Sequence, residues 1–92
     1  MPKIRHPKRI GKCYKLDCIM YVRSRTSEGH LDNGQMRYDL WGKFALVVGT
    51  TQWYGEQLEI LLSKPNGESE IVYIEEAAFA EMHAYRRIKQ VS

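Results

Sequence analysis

The stretch Gln57–Glu75 constrains the fold of this chain more than any other part of its sequence. It begins with QLEILLS, in which every second residue is leucine or isoleucine, the period of a strand with one buried face. The KPNGES that follows places Pro65 and Asn66 at the central positions of a type I turn and Gly67 at a left-handed position. SEIVYIE then supplies a second strand. This segment predicts an antiparallel hairpin.

Apolar segments before the hairpin predict further strands. IGKCYKL and CIMYVRS, residues 10–16 and 18–24, are rich in β-branched and aromatic side chains, and MRYDLW can extend as a short strand. KFALVVGT, residues 43–50, has no polar alternation, so we expect it to be buried on both faces. In the second segment, Cys18, Met20 and Val22 share one side, and Ile19, Tyr21 and Arg23 the other.

The C-terminal segment EEAAFAEMHAYRRIKQVS changes character. Its alanines, glutamates and methionine favour a helix from Glu76 to Tyr85, with Ala78, Met82 and Tyr85 on the packed stripe. The alternative is a short helical turn followed by a closing strand through AYRRIKQ. We therefore predict a mainly β fold, a small antiparallel barrel or half-barrel of four or five strands with a short C-terminal helix.

The chain length allows one domain, because 92 residues can enclose only a small core. A content of 43% hydrophobic and 27% charged residues is ordinary for a globular protein and excludes a disordered chain. Pro2 and Pro7 lack the N–H group that regular structure needs, so residues 1–9 are expected to be a basic flexible arm and residues 10–92 the domain.

Nothing in the sequence indicates secretion or a membrane. The basic N-terminus is not followed by the apolar stretch of a signal peptide, and no window has the roughly 20 apolar residues of a spanning helix. We expect a cytoplasmic protein. In that compartment Cys13 and Cys18 would stay reduced, and on extended chain they would point to opposite faces.

The segments IGKCYKL, WGKFALVV, LEILLSKPNG and IVYI, which together cover much of residues 10–74, give the chain a resemblance to SH3-like barrels of the KOW kind. Ala45 stands where that family usually has a second glycine, and residues 24–36 and the C-terminal helix are additions to its minimal module. The resemblance implies a small β-barrel that binds RNA, DNA or protein, as do modules in many small bacteriophage-encoded proteins.

Charge is distributed unevenly along the chain. Residues 1–25 contain eight basic side chains and one acid, a net charge of +7, whereas residues 26–92 have ten acids and six bases, a net charge of −4. A basic end can be a solvated tail, a ligand for phosphates or a ligand for an acidic protein surface. We favour nucleic acid, RNA or DNA. The residues expected to contact phosphates are Lys3, Arg5, Lys8, Arg9, Lys12, Arg23 and Arg25.

Trp53 and Tyr54 are candidate stacking residues beside this surface, because loop aromatics of small barrels can stack on bases. A small core also needs large side chains, so one of the two rings could instead close it. Neighbours on extended chain point in opposite directions. We expect one ring to pack and the other to be exposed.

Catalytic and metal-binding motifs are not found. Cys13 and Cys18 have the spacing of one zinc-ligand pair, but no second pair follows. Glu81 and His83 are two residues apart and would not share a helix face, and the sequence has no phosphate-cradling glycine loop. We expect a non-enzymatic protein with no cofactor and no metal.

The alternative is a protein-interaction module. Seven glutamates and a single lysine lie in residues 56–81, so nucleic acid would avoid that side of the domain. A phage-type accessory protein, an inhibitor of a host protein or a virion component could grip a protein partner through Trp53 and Tyr54. The sequence does not predict the oligomeric state.

Overall fold

The computed structural model describes residues 9–26, 29, 34–63 and 67–91, which form a mainly β structure with one short helix. The elements of these residues, in chain order, are β1 (Cys13–Leu16), β2 (Ile19–Val22), β3 (Met36–Asp39), β4 (Lys43–Gln52), β5 (Glu56–Ser63), β6 (Ser69–Glu75), α1 (Glu76–Ala84) and β7 (Ile88–Gln90). None of the described helices is long and apolar enough to cross a membrane.

The strands form two sheets. One is five-stranded and antiparallel in the order β6-β5-β4-β1-β7, and the other pairs β2 with β3. A bridge at Arg23 connects them, in which Arg23 and Tyr73 exchange backbone hydrogen bonds of 2.8 and 2.9 Å. Within the described ranges these strands form no closed barrel. The described residues form seven strands, more than the four or five predicted, because β2 and β3 form a second sheet and β7 follows the helix.

The hairpin predicted from the sequence is confirmed as β5 and β6. Its pairing extends from Gln57 opposite Glu75 to Ser63 opposite Ser69. The leucine and isoleucine residues at alternate positions of β5 are buried. Gly67 has a φ of +88°, the left-handed conformation expected of it, whereas Pro65 and Asn66 lie outside the described residues.

Strand β4 corrects one expectation, because only one of its faces is buried. Ala45 and Val47 are fully buried, while Phe44 and Val48 are 44% and 41% exposed. The second sheet and α1 cover the inner face of the large sheet, where the described residues form a hydrophobic core. The apolar run therefore also supplies an outward-facing surface.

The C-terminal segment contains both of the structures considered for it. The helix ends at Ala84, Arg86 takes a φ of +63°, and the chain returns as β7 beside β1. The expected stripe was wrong at Tyr85, which is 67% exposed because it follows the last helical residue. The most buried helical side chain is Phe79.

The inward positions of β2 were predicted correctly, since Cys18, Met20 and Val22 all belong to the core. Arg23, expected on the outer side with the exposed Tyr21, is instead only 7% exposed, because its backbone pairs with β6. Burial raises the pKa of the Cys18 thiol.

Candidate nucleic-acid interface

The structure does not gather the predicted site residues into one surface. Lys3, Arg5 and Lys8 lie outside the described residues. Arg9 and Lys12 precede β1, whereas Arg23 and Arg25 follow β2 and lie beside β6. In the large sheet, β4 and β5 separate β1 from β6. Trp53 and Tyr54 lie in the turn between β4 and β5.

Arg9 is held by the helix. Its Nε donates to Glu76 Oε2 at 3.1 Å, and both side chains are close to 90% buried. The guanidinium carbon lies 5.2 Å from the centre of the Phe79 ring. Glu76, Phe79 and His83 share one helix face because they are separated by three and four residues. Part of the positive charge of Arg9 is therefore compensated within the protein.

Arg25 is also hydrogen-bonded within the protein. Its Nε and Nη2 atoms donate to the Tyr73 hydroxyl at 3.0 and 2.6 Å, and that hydroxyl donates to Glu59 Oε2 at 2.7 Å. Burial raises the pKa of Tyr73, the hydrogen bond to Glu59 raises it further, and Arg25 opposes both effects. The Tyr73 hydroxyl therefore links the Arg25 guanidinium to the Glu59 carboxylate by hydrogen bonds.

The two loop aromatics differ in exposure, as the alternation of side chains predicts. Trp53 is half-buried with its Nε1 atom enclosed, and Gln57 Nε2 donates to the Trp53 carbonyl at 2.9 Å. Tyr54 is 63% exposed at a φ of +52°. Its ring is edge-on to Trp53 at 5.5 Å, and the Arg23 guanidinium carbon lies 5.5 Å from its centre. Tyr54 is the ring presented to solvent.

A different cationic surface forms where β7 pairs with β1. Lys15 and Lys89 are direct cross-strand partners, and both are exposed. Arg86 and Arg87, which immediately precede β7, are exposed as well. We call these four residues, Lys15, Arg86, Arg87 and Lys89, the basic edge. Across the described part of the chain, none of the four forms an ion pair with a carboxylate.

An exposed tryptophan lies beside the basic edge. Trp41 is 53% exposed, and the Arg87 guanidinium carbon is 6.0 Å from its ring centre. The turn that carries it is fixed by two hydrogen bonds: Trp41 N–H donates to Asp39 Oδ1 at 3.2 Å, and Gly42 N–H donates to Asp17 Oδ1 at 3.2 Å. Gly42 has a φ of +74°, which explains a glycine at this position. The ring is thus positioned next to the Arg87 guanidinium.

Sequence reasoning missed most of the basic edge. The helix predicted from Glu76 to Tyr85 leaves Arg86, Arg87 and Lys89 near its C-terminus, where cations interact favourably with the helix dipole. Only the pairing of β7 with β1 brings Lys89 opposite Lys15. The signal available in the sequence was the alternative of a closing strand through AYRRIKQ, which places Arg87 and Lys89 on one face.

Two further observations limit the kind of site. Within the described ranges, no group of three or more histidine, cysteine, aspartate or glutamate side chains is placed to hold a metal ion. The chain matches no protein-family model, no curated protein and no solved structure. A functional proposal therefore depends on the geometry and charge of the chain itself.

Proposed function

We propose that this protein is a small non-enzymatic module that binds RNA or DNA through the basic edge, with Trp41 as a stacking ring. The observation that carries the proposal is the direct opposition of Lys15 and Lys89. Like charges on directly opposed residues destabilise a sheet. Such a pair is favourable when an anion lies between the two ammonium groups, and a backbone phosphate is such an anion.

The spacing of the basic edge suits a chain of phosphates. Arg87 immediately precedes β7 and Lys89 lies within it, so these two cations are two residues apart in the chain. Lys15 continues this row on β1. Trp41 would stack on a base, a contact worth about 1 to 3 kcal/mol. Arginine and lysine contacts of this kind favour nucleic acid without reading its sequence.

Four of the other cations that the sequence predicts to contact phosphates, Lys3, Arg5, Lys8 and Lys12, extend the basic edge in this proposal. Lys3, Arg5 and Lys8 come before Arg9 in the chain, and Lys12 is exposed just before β1. In the proposal these residues add further phosphate contacts. Arg23, Arg25 and Tyr54 belong to the β2–β6 side, where Glu59 lies opposite Tyr73, and we leave them out of the proposed interface.

The proposed architecture is an SH3-like half-barrel. Its support is the antiparallel order of β1, β4, β5 and β6, with β2 joined to β6 by the bridge at Arg23. In this arrangement β7 occupies one edge of the large sheet. A short edge strand carrying lysine is protected from pairing with another chain and remains open to a ligand.

The test is a fluorescence-anisotropy titration of labelled single-stranded RNA and DNA at about 50 mM salt. Loss of one phosphate contact should weaken binding about eightfold at this ionic strength, because one fewer counterion is released. We expect this loss for Lys89→Gln. Arg37→Gln is the matched control, since it removes one exposed strand cation from β3. Equal affinities of the two variants, or no binding by the wild type, would contradict the proposal.

A protein-interaction role is the second candidate, and the outer side of the large sheet favours it. Leu46, Leu61 and Ile71 are cross-strand neighbours on that side, flanked by Phe44 and Val48. Phe44, Val48 and Ile71 are each more than 40% exposed. Exposed apolar patches of this kind mark surfaces that bind proteins.

Affinity purification with and without nuclease separates the two candidates. A protein partner retained after nuclease treatment, but lost from Ile71→Glu or Tyr54→Ala, would support the second. Partners that disappear with nuclease would support the first. Tyr54 is preferred to Trp53 for this test because its exposed ring can be removed with little effect on packing.

A further inference from the structure

We propose that a cleft between the start of β1 and the end of α1 binds a phosphate group. The cleft has a volume of about 410 Å³ and is lined by Arg9, Lys12, Tyr14, His83 and Gln90. It is distinct from the basic edge and is formed by side chains that can all donate hydrogen bonds. The same concentration of donors is what an anion with several oxygens requires.

Arg9 brings more donors to the cleft than the protein uses. Nε is taken by Glu76, and Nη1 makes only long contacts, 3.5 Å to the Tyr14 hydroxyl and 3.4 Å to His83 Nδ1. The described residues give Nη2 no hydrogen bond. A guanidinium has five N–H donors, so several of them remain for a ligand. No Arg9 nitrogen is both buried and without a partner among the described residues, so these donors face the open cleft, where a ligand can reach them.

Tyr14 and His83 are held in place by packing. Tyr14 is 2% exposed, and its ring lies edge-on to Phe79 at 5.1 Å and to His83 at 5.7 Å. The Tyr14 hydroxyl accepts from Arg9, so its own proton is available to a ligand. A guanidinium only donates, so His83 Nδ1 is the acceptor in its contact with Arg9 and the ring proton lies on Nε2. Both groups are donors with fixed positions.

Lys12 provides the charge that selects an anion. The charge of Arg9 is partly balanced by Glu76, but Lys12 is exposed and forms no ion pair within the described residues. A phosphate group offers oxygens in a tetrahedral arrangement, so it can accept from Lys12 on one side and from Arg9 and Tyr14 on the other. A planar carboxylate would meet fewer of these donors.

The cleft opens towards the basic edge. His83 and Gln90 also line a neighbouring depression of about 450 Å³, whose other side is formed by Arg86 and Lys89. The phosphate could therefore be the terminal phosphate of a nucleic-acid strand on the basic edge or part of a free phosphorylated compound. Both sources offer the same phosphate chemistry. Because the cleft can be tested without nucleic acid, this proposal does not depend on the function proposed above.

The experiment is a titration of the full chain with inorganic phosphate, followed by NMR of the histidine side chains, with chloride at matched ionic strength as the control. We expect a saturable shift of the His83 imidazole signals with phosphate and none with chloride. His83→Gln assigns those signals. Lys12→Gln should weaken binding about tenfold, as the loss of a charge-assisted hydrogen bond does. Lys43→Gln, which removes an ammonium at the other end of β1, should leave binding unchanged.

The proposal would be overturned if phosphate did not shift the His83 imidazole signals. It would also be overturned if Lys12→Gln and Lys43→Gln weakened phosphate binding equally. A second arm distinguishes the sources of the phosphate by comparing oligonucleotides that carry a 5′-phosphate with the same sequences ending in a 5′-hydroxyl. A preference for the phosphorylated strand that disappears in Lys12→Gln identifies a terminal phosphate. Equal binding of the two strands, with the response to inorganic phosphate retained, identifies a free phosphorylated compound.

Discussion

Reversing one charge of the opposed lysine pair should stabilise the protein while weakening its binding. Lys15 and Lys89 are direct cross-strand partners, so their Cβ atoms are about 5 Å apart. Two ammonium groups about 7 Å apart in water repel by about 0.6 kcal/mol, and opposite charges attract by a similar amount. Lys89→Glu should therefore raise the free energy of unfolding by about 1 kcal/mol, or Tm by about 4–8 °C.

The assay is urea denaturation of a double-mutant cycle. Lys15→Glu and Lys89→Glu should each stabilise, and the double variant should lose the gain because two carboxylates then face each other. In about 1 M salt the differences should shrink, since screening acts over about 3 Å. Arg37→Glu is the control, because its cross-strand partner Tyr21 is neutral.

Two results would refute this reasoning. One is a loss of stability in Lys89→Glu equal to that in Arg37→Glu. The other is a double variant that retains the stability of the single variants. Either result would show that the two ammonium groups do not interact, and the main support for an anion between them would be removed.

Three further predictions concern the fold. Phe79→Ala should lower the free energy of unfolding by about 3–5 kcal/mol in urea denaturation, because the ring is fully buried; a loss below about 1 kcal/mol would place the helix elsewhere. Trp53→Ala should destabilise by more than Tyr54→Ala in the same assay, since Trp53 is half-buried whereas Tyr54 is 63% exposed, and the reverse order would contradict the loop geometry. The raised pKa of Tyr73 means that its contribution to stability is complete below about pH 10 and is lost as pH rises towards the folded-state pKa. Tyr73→Phe should therefore reduce the alkaline loss of stability in urea titrations between about pH 9 and 12, and an undiminished loss in that variant would contradict the role of Tyr73.

Local sequence patterns predicted much of the secondary structure. The alternation in β5 and the turn residues before β6 gave the hairpin, and the alanine-rich segment gave α1. These signals are local, since each depends on residues a few positions apart. The expectation that β4 is buried on both faces was wrong because exposure is decided by which elements cover a sheet, and the helix and second sheet lie on one side of it.

The candidate site was harder to predict because it depends on contacts between residues far apart in the chain. Arg9 has its ion pair with Glu76, 67 residues away, and Arg25 has its hydrogen bonds with Tyr73, 48 residues away. A count of charges treats every cation as free to bind a ligand. In the folded protein, however, Arg9 and Arg25 are hydrogen-bonded to other side chains of the chain, whereas Lys89 is exposed. Periodicity did predict that Trp53 and Tyr54 would differ, although it could not decide which ring is exposed.

The dependence of oligonucleotide binding on salt tests the central proposal most directly. If the four residues of the basic edge contact phosphates, log Kobs against log salt for a single strand should have a slope of about −3, because each contact contributes about −0.7. In Lys15→Gln/Lys89→Gln the slope should become shallower by about 1.4. An unchanged slope in this double variant would show that the phosphates lie elsewhere, and a wild-type slope near zero would contradict nucleic-acid binding through charge.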